Sequence, residues 1–306
     1  MLSIKILEKT IKMKKKLLPI LSIVSACILW GLAIVLTKQA TEQLKFPHVA
    51  LYRFLIASLF LILFTLKKKV IFPGKSDLKI FLLTSFFTVP CTFLLQFAGI
   101  SITSGTNASL IIGMTPTIFI MVSYIAFRKR ENQAVMLSVL LSIIGIALVV
   151  GSPTAGNSWI GNVLIIISLI TLSISTILTQ KIMKTYSPLI TTILTFWIGT
   201  IILIPLVIIF YGVPPVDLDA TVWASLFVQG VLCTSCAYLL WNYGLQKISM
   251  AKAGVYANIE PIAGVIFSSL LLSDKINIQM AVGGTLVIIA ALLISIIDLF
   301  KFKTAK

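Results

Sequence analysis

The sequence predicts an all-α integral membrane protein whose ten transmembrane helices form two inverted repeats of five, with both termini cytoplasmic. Three observations carry that expectation. They are the long apolar runs, the placement of basic residues between those runs, and a self-similarity at an offset of 145 residues.

Of 306 residues, 58 % are apolar and 11 % charged, with a mean hydropathy of +1.09. A water-soluble domain carries about 25 % charged residues, so this chain cannot clothe a water-facing surface. Ten apolar runs fall at roughly 17–37, 48–66, 80–100, 104–127, 133–151, 159–180, 189–211, 221–244, 252–272 and 278–298. Each approaches the roughly 20 residues that cross about 30 Å of hydrocarbon as helix. The connections are short and punctuated by Pro47, Pro73, Pro153, Pro188 and Pro214–Pro215, which leaves no room for a soluble domain. The run from Leu17 is longer than the apolar part of a cleavable signal and has no A-x-A cleavage site, so it is expected to be a retained span.

The charges fix the orientation. Of the 25 Lys and Arg, only Lys38, Lys45 and Lys275 would lie outside the cell, and only Arg53 lies within a span. All the others fall on the side of the N-terminus, as the positive-inside rule requires for cytoplasmic loops. The net charge of +16 is therefore topological. It is too dispersed to form a nucleic-acid groove, so no nucleic-acid partner is expected.

The repeat is read by sliding the chain on itself. At an offset of 145, Cys91–Gly99 falls on Cys236–Gly244, Ser104 on Ser249, Ala108 on Ala253 and Pro116 on Pro261, without a gap. An odd number of spans per copy makes the second copy enter the bilayer from the opposite side. The chain is thus expected to divide into a basic tail (1–16), a first five-helix repeat (17–151), a second (152–298) and a basic C-terminal tail (299–306). Inverted repeats are common in secondary transporters, which place substrate near the midplane where the halves meet.

Trp30-Gly31 in the first span, Arg53-Phe54 early in the second and Glu260-Pro261 in the ninth resemble the EamA-type families of the drug/metabolite transporter superfamily. The likeness covers nearly the whole chain. It implies ten helices around a central cavity, alternating access, and export or exchange of metabolites; small organic metabolites such as amino acids are the expected class, with purines, sugars and xenobiotics open beside them. The Glu-Pro stands only in the second half; the first half reads Thr115-Pro116.

Candidate site residues follow from cost and spacing. Glu260 is the only acid deep within a span, and a carboxylate at the bilayer centre is expensive unless it faces protein or water. It is either a proton, cation or substrate-amine site, or a structural carboxylate bonded to a neighbouring helix. Tyr256, one turn away, shares its face. Arg53 either faces the cavity, as a partner for Glu260 or a substrate carboxylate, or snorkels outward. Tyr238, Trp241 and Asn242 in the eighth span, their counterpart Gln96 in the third, and Trp30 in the first complete a candidate substrate-binding set. Aromatic rings and amides suit an organic solute, although the same residues also pack helices together. The Thr171, Ser175, Thr179 stripe either lines a water path or packs, and the Gly105, Ser109, Gly113 face reads as close helix packing.

Other classes are poorly served. The chain has no Walker-type loop, no H-E-x-x-H, no G-x-S-x-G and a single histidine, His48, so neither ATP-driven pumping nor catalysis is expected. Cys233-Thr-Ser-Cys236 lies within an apolar span and reads as packing. No cofactor or metal is implied. The expected partners are a small-molecule substrate and membrane lipid, with a monomer or homodimer in a bacterial plasma (inner) membrane. A carrier of lipid-linked substrates, or a non-transporting membrane partner, is the alternative.

Overall fold

Ten apolar helices make up the fold of the described residues. In this computed structural model those are residues 2–66, 72–127, 133–150, 158–248, 253, 256–257, 259–286, 288–290 and 293; for 2–16, 116, 123, 127, 133–136, 139, 142, 146 and 149–150 the backbone alone is described. The helices are α1 (Leu2–Gln43), α2 (Phe46–Thr65), α3 (Lys75–Ile102), α4 (Gly105–Ala126), α5 (Gln133–Val150), α6 (Trp159–Ile182), α7 (Pro188–Tyr211), α8 (Ala220–Lys247), α9 (Ile259–Leu271) and α10 (Ile278–Ala290). Seven are long and apolar enough to cross a membrane, while α9 and α10 are shorter. Arg128–Arg130, Lys67–Lys69, Lys252 and residues 299–306 lie outside the described residues.

Local chemistry sets the helix ends. Ser104, Ser158 and Ser187 each accept a hydrogen bond from a backbone N–H three residues on, satisfying a donor that the first turn leaves orphaned. Pro188 occupies the first turn of α7, where its missing N–H costs nothing. Gly212 ends α7 with φ +84°, a conformation natural to glycine.

Two helices carry a π-helical segment, Phe87–Phe93 in α3 and Val231–Cys236 in α8. The widened turn leaves backbone carbonyls without their usual partner. Hydroxyls take over: Thr92 donates to the carbonyl of Phe87, Thr234 to that of Gln229, and Ser235 to that of Gly230, each five residues back. The two segments fall on each other at the 145-residue offset.

The packing is also matched between halves. Helix α1 runs along α8 and α9, while α6 runs along α3 and α4; α2 packs on α7 and α8, and α7 on α2 and α3. Close backbone approach is built from small residues. A Cβ on Gly31 of α1 would lie 2.8 Å from the Glu260 carbonyl of α9. Gly105 faces Ser268 and Gly264 faces Ser109, so the small-residue stripe of α4 is the α9 contact the spacing suggests. The outer surface is apolar, with Leu59, Ile125, Ile201, Ile209 and Leu270 exposed, as a lipid-facing surface must be.

Candidate functional site

Glu260 lies in the first turn of α9 and is buried. Arg53, on α2, is 2 % exposed. The two charges do not form an ion pair among the described residues. Arg53 instead docks on the π segment of α8, its Nε donating to Thr234 Oγ1 and its Nη2 to the Cys233 carbonyl at 3.2 Å. Its guanidinium lies 5.0 Å from the ring centre of Phe93 and 5.4 Å from that of Phe97, within cation–π range. The snorkelling alternative therefore does not describe this residue. Arg53 thus ties α2 to the π segment of α8 through both a side chain and a backbone carbonyl.

Two cavities meet at Glu260. One lies toward the Lys38 end of the bundle; it is lined by Arg53, Gln96, Phe93, Phe97 and Thr37. The other lies toward the Tyr186 end; its wall includes Thr88, Ser175, Thr176, Thr179, Thr192, Thr195, Trp241 and Asn242. Trp30, Thr115, Leu172, Tyr238 and Glu260 line both and form the partition between them. Trp30 contacts Tyr238 and Trp241, each with ring centroids 5.0 Å apart. Phe196 backs Tyr238 at 4.9 Å.

Several polar groups here have no protein partner. The Glu260 carboxylate makes no hydrogen bond among the described residues, and Trp30 Nε1 and Thr195 Oγ1 are buried without one. A buried polar group left unpaired costs about 1–3 kcal/mol, so groups turned to a cavity in this state suit a ligand or ordered water.

The sequence-predicted residues are mostly brought together. Arg53, Gln96, Trp30, Tyr238 and Glu260 share the first cavity, and Trp241 and Asn242 join Trp30, Tyr238 and Glu260 in the second. Tyr256 does not join them; it is half-buried against the cluster that contains Trp241 and Cys27. Of the α6 stripe, Ser175 and Thr179 line the second cavity, while Thr171 bonds Thr92 at 2.9 Å. The four cysteines are free thiols. His48 lies 3.3 Å from the Gly212 carbonyl, outside both cavities. Sequence reasoning missed Thr192, Thr195 and Phe196 of α7. A cluster of threonines in an otherwise aliphatic span was the available signal.

A hydrogen bond also stands at each end of the bundle. Gln43 Nε2 donates to Asp219 at 2.9 Å, and the Tyr186 hydroxyl donates to Asp77 at 2.8 Å. Gln43 and Tyr186 are offset by 143 residues and Asp77 and Asp219 by 142, so the two bonds occupy matched places in the two halves. The bond to Asp77, then burial and the Asp77 charge, hold the Tyr186 phenol above its ordinary value.

The model of the EamA-like transporter family matches residues 17–151 and again residues 159–296. The chain belongs to the EamA-like transporter family. It is similar to an uncharacterized transporter of Archaeoglobus fulgidus, 27 % identical over 266 residues, covering 85 % of this chain and 91 % of that one. It is also similar to the uncharacterized transporter YetK of Bacillus subtilis, 25 % identical over 292 residues, covering 90 % and 87 %. A solved crystal structure superposes with a TM-score of 0.68 over 91 % of this chain and 96 % of that one at 14 % identity, a likeness of fold alone. This EamA-family member is thus a multi-pass membrane protein of a transporter family, and that membership points away from an enzyme.

Proposed function

We propose that this EamA-family protein is a secondary transporter of small organic metabolites such as amino acids. It would export or exchange them by alternating access around the partition at Glu260. The observation that carries the reading is the pair of cavities that lie on opposite sides of one shared wall of Trp30, Thr115, Leu172, Tyr238 and Glu260. A single site reachable in turn from either end needs such a shared wall.

The matched π segments, helix contacts and end-to-end hydrogen bonds support two inverted five-helix repeats. The charge distribution supports cytoplasmic termini, in a bacterial plasma membrane. The substrate-binding set is Glu260, Arg53, Trp30, Tyr238, Trp241, Asn242 and Gln96. Glu260 is the coupling residue, because it is the acidic side chain in contact with both cavities. Tyr256 supports the set from behind Trp241 rather than touching solute.

The test is counterflow in proteoliposomes. Vesicles preloaded with an unlabelled amino acid should take up the labelled one transiently above its equilibrium level. Uptake that rises only to equilibrium with every amino acid supplied would remove the exchange reading. Lipid-linked solutes would be the next to test.

A further inference from the structure

We propose that the cavity facing the Tyr186 end is an ammonium-binding site, in which Glu260, the rings of Trp30, Tyr238 and Trp241, and hydroxyl lone pairs hold the protonated amine of an organic solute. The inference rests on the transporter reading and assigns chemistry to one half of its site.

Hydrogen-bond accounting points to it. Thr88, Thr115, Ser175, Thr176 and Thr192 each spend their hydroxyl proton on a backbone carbonyl three or four residues back. A carbonyl cannot donate, so the hydroxyl must be the donor in every case. What these five offer the cavity is lone pairs. Asn242 likewise spends an amide proton on Thr192, at 2.8 Å. Glu260, when ionised, accepts only. These lone pairs around one carboxylate are complementary to a group with several N–H donors and a positive charge, while the unspent Trp30 Nε1 and Thr195 Oγ1 hydrogens on the same wall are left for an acceptor elsewhere on the solute. An alkylammonium is such a group: three donors and no acceptor.

The aromatic partition favours an organic cation over a bare ion. Three rings line the same cavity as the carboxylate, and aromatic faces attract ammonium groups through their quadrupole. The opposite cavity shares Glu260 but adds a cation, the Arg53 guanidinium over Phe93 and Phe97. A cation is therefore directed to the hydroxyl side of the partition.

The test is thermal unfolding of the purified full chain with phenylalaninamide, which carries an ammonium, and with 3-phenylpropanamide, which lacks it. A ligand that binds the folded protein raises its melting temperature in proportion to occupancy. Phenylalaninamide should bind at least about tenfold tighter than its neutral counterpart, as a charge-assisted bond implies. Glu260→Gln should bring the two within about threefold. Thr176→Val, which keeps shape and removes a lone pair, should weaken phenylalaninamide by about threefold, and it serves where Glu260→Gln does not fold. Equal binding of the two amides, or sodium chloride displacing phenylalaninamide by binding in its place, overturns the proposal. Ammonium-selective binding without counterflow would leave this site standing and remove the transport reading. Counterflow with no preference for the ammonium would do the reverse.

Discussion

Trp30 and Tyr238 meet edge to face, ring centroids 5.0 Å apart and planes inclined at 61°, and this contact joins α1 to α8 at the wall between the two cavities. The rings are large, stiff and backed by Phe196. They separate the ends of the bundle without a backbone gate. Trp30→Ala should therefore join the cavities. The expected outcome is a leak: solute flux in proteoliposomes rises while counterflow overshoot falls. Trp30→Phe, which keeps a ring but loses the unpaired Nε1 donor, should keep the seal and weaken solute binding by about tenfold or less.

Arg53 binds a π segment rather than Glu260, so its replacement should affect stability before transport. Arg53→Met leaves the Cys233 carbonyl without its donor and removes the cation from Phe93 and Phe97. A loss of about 1–3 kcal/mol is expected for an unsatisfied buried polar group, read from denaturant or thermal unfolding. Arg53→Lys should recover only part of that loss, because a point ammonium cannot reproduce a planar fork that bonds and stacks together.

The Gly31 approach is a test of helix packing at the site. Gly31→Ala places a methyl 2.7 Å from the Ala263 Cβ and 2.8 Å from the Glu260 carbonyl, so α1 and α9 must separate. Overpacking of this kind costs about 1–3 kcal/mol, and here it also displaces Glu260. Gly74→Ala is the control: its nearest neighbour would be Ser76 Oγ at 3.8 Å, and unfolding should change little.

The matched bonds at the two ends should act as opposed latches. Tyr186→Phe frees Asp77 and should favour opening at that end; Gln43→Leu frees Asp219 and should favour the other. Labelling rates of a cysteine introduced at Thr179 and of one at Thr37 should move in opposite directions in the two variants. If both variants shift both rates the same way, the latches are not opposed. The Tyr186 phenol is held above its ordinary value by its bond to Asp77, so the protonated, bonded form is the one the fold favours. That contribution is complete below about pH 10, the ordinary phenol value, and is lost as pH rises through the raised value. The Tyr186 latch should therefore hold at neutral pH and fail only in alkali.

Much of the architecture was legible because a bilayer imposes few and strong constraints. Run length marked where helices lie, and the offset that aligned Cys91 with Cys236 also aligned two π segments. Those segments were not foreseeable, since a π turn depends on hydroxyls such as Thr92 and Thr234 reaching carbonyls five residues back, and such hydroxyls are common in ordinary helices. At the site, the rarity of Glu260 and Arg53 in apolar spans drew attention to them, but rarity carries no distance. That is why their suggested pairing gave way to Arg53 on Thr234 and Cys233. Tyr256 shared a helical face with Glu260 by spacing alone. It packs against the cluster that contains Trp241 and Cys27 instead, and the backbone at 257 turns before α9 begins. Thr192 and Thr195 were overlooked because a hydroxyl in an aliphatic helix usually bonds its own backbone. Thr192 does so, and still lines the cavity.

The most direct test of alternating access needs no substrate. Thr115 lines both cavities. With Cys27, Cys91, Cys233 and Cys236 replaced, Thr115→Cys gives a single thiol at the partition. In oriented membrane vesicles, a membrane-impermeant thiol reagent should label that residue when added to either side, and phenylalaninamide should slow both reactions. Labelling from one side alone, unchanged by any ligand, would contradict the account.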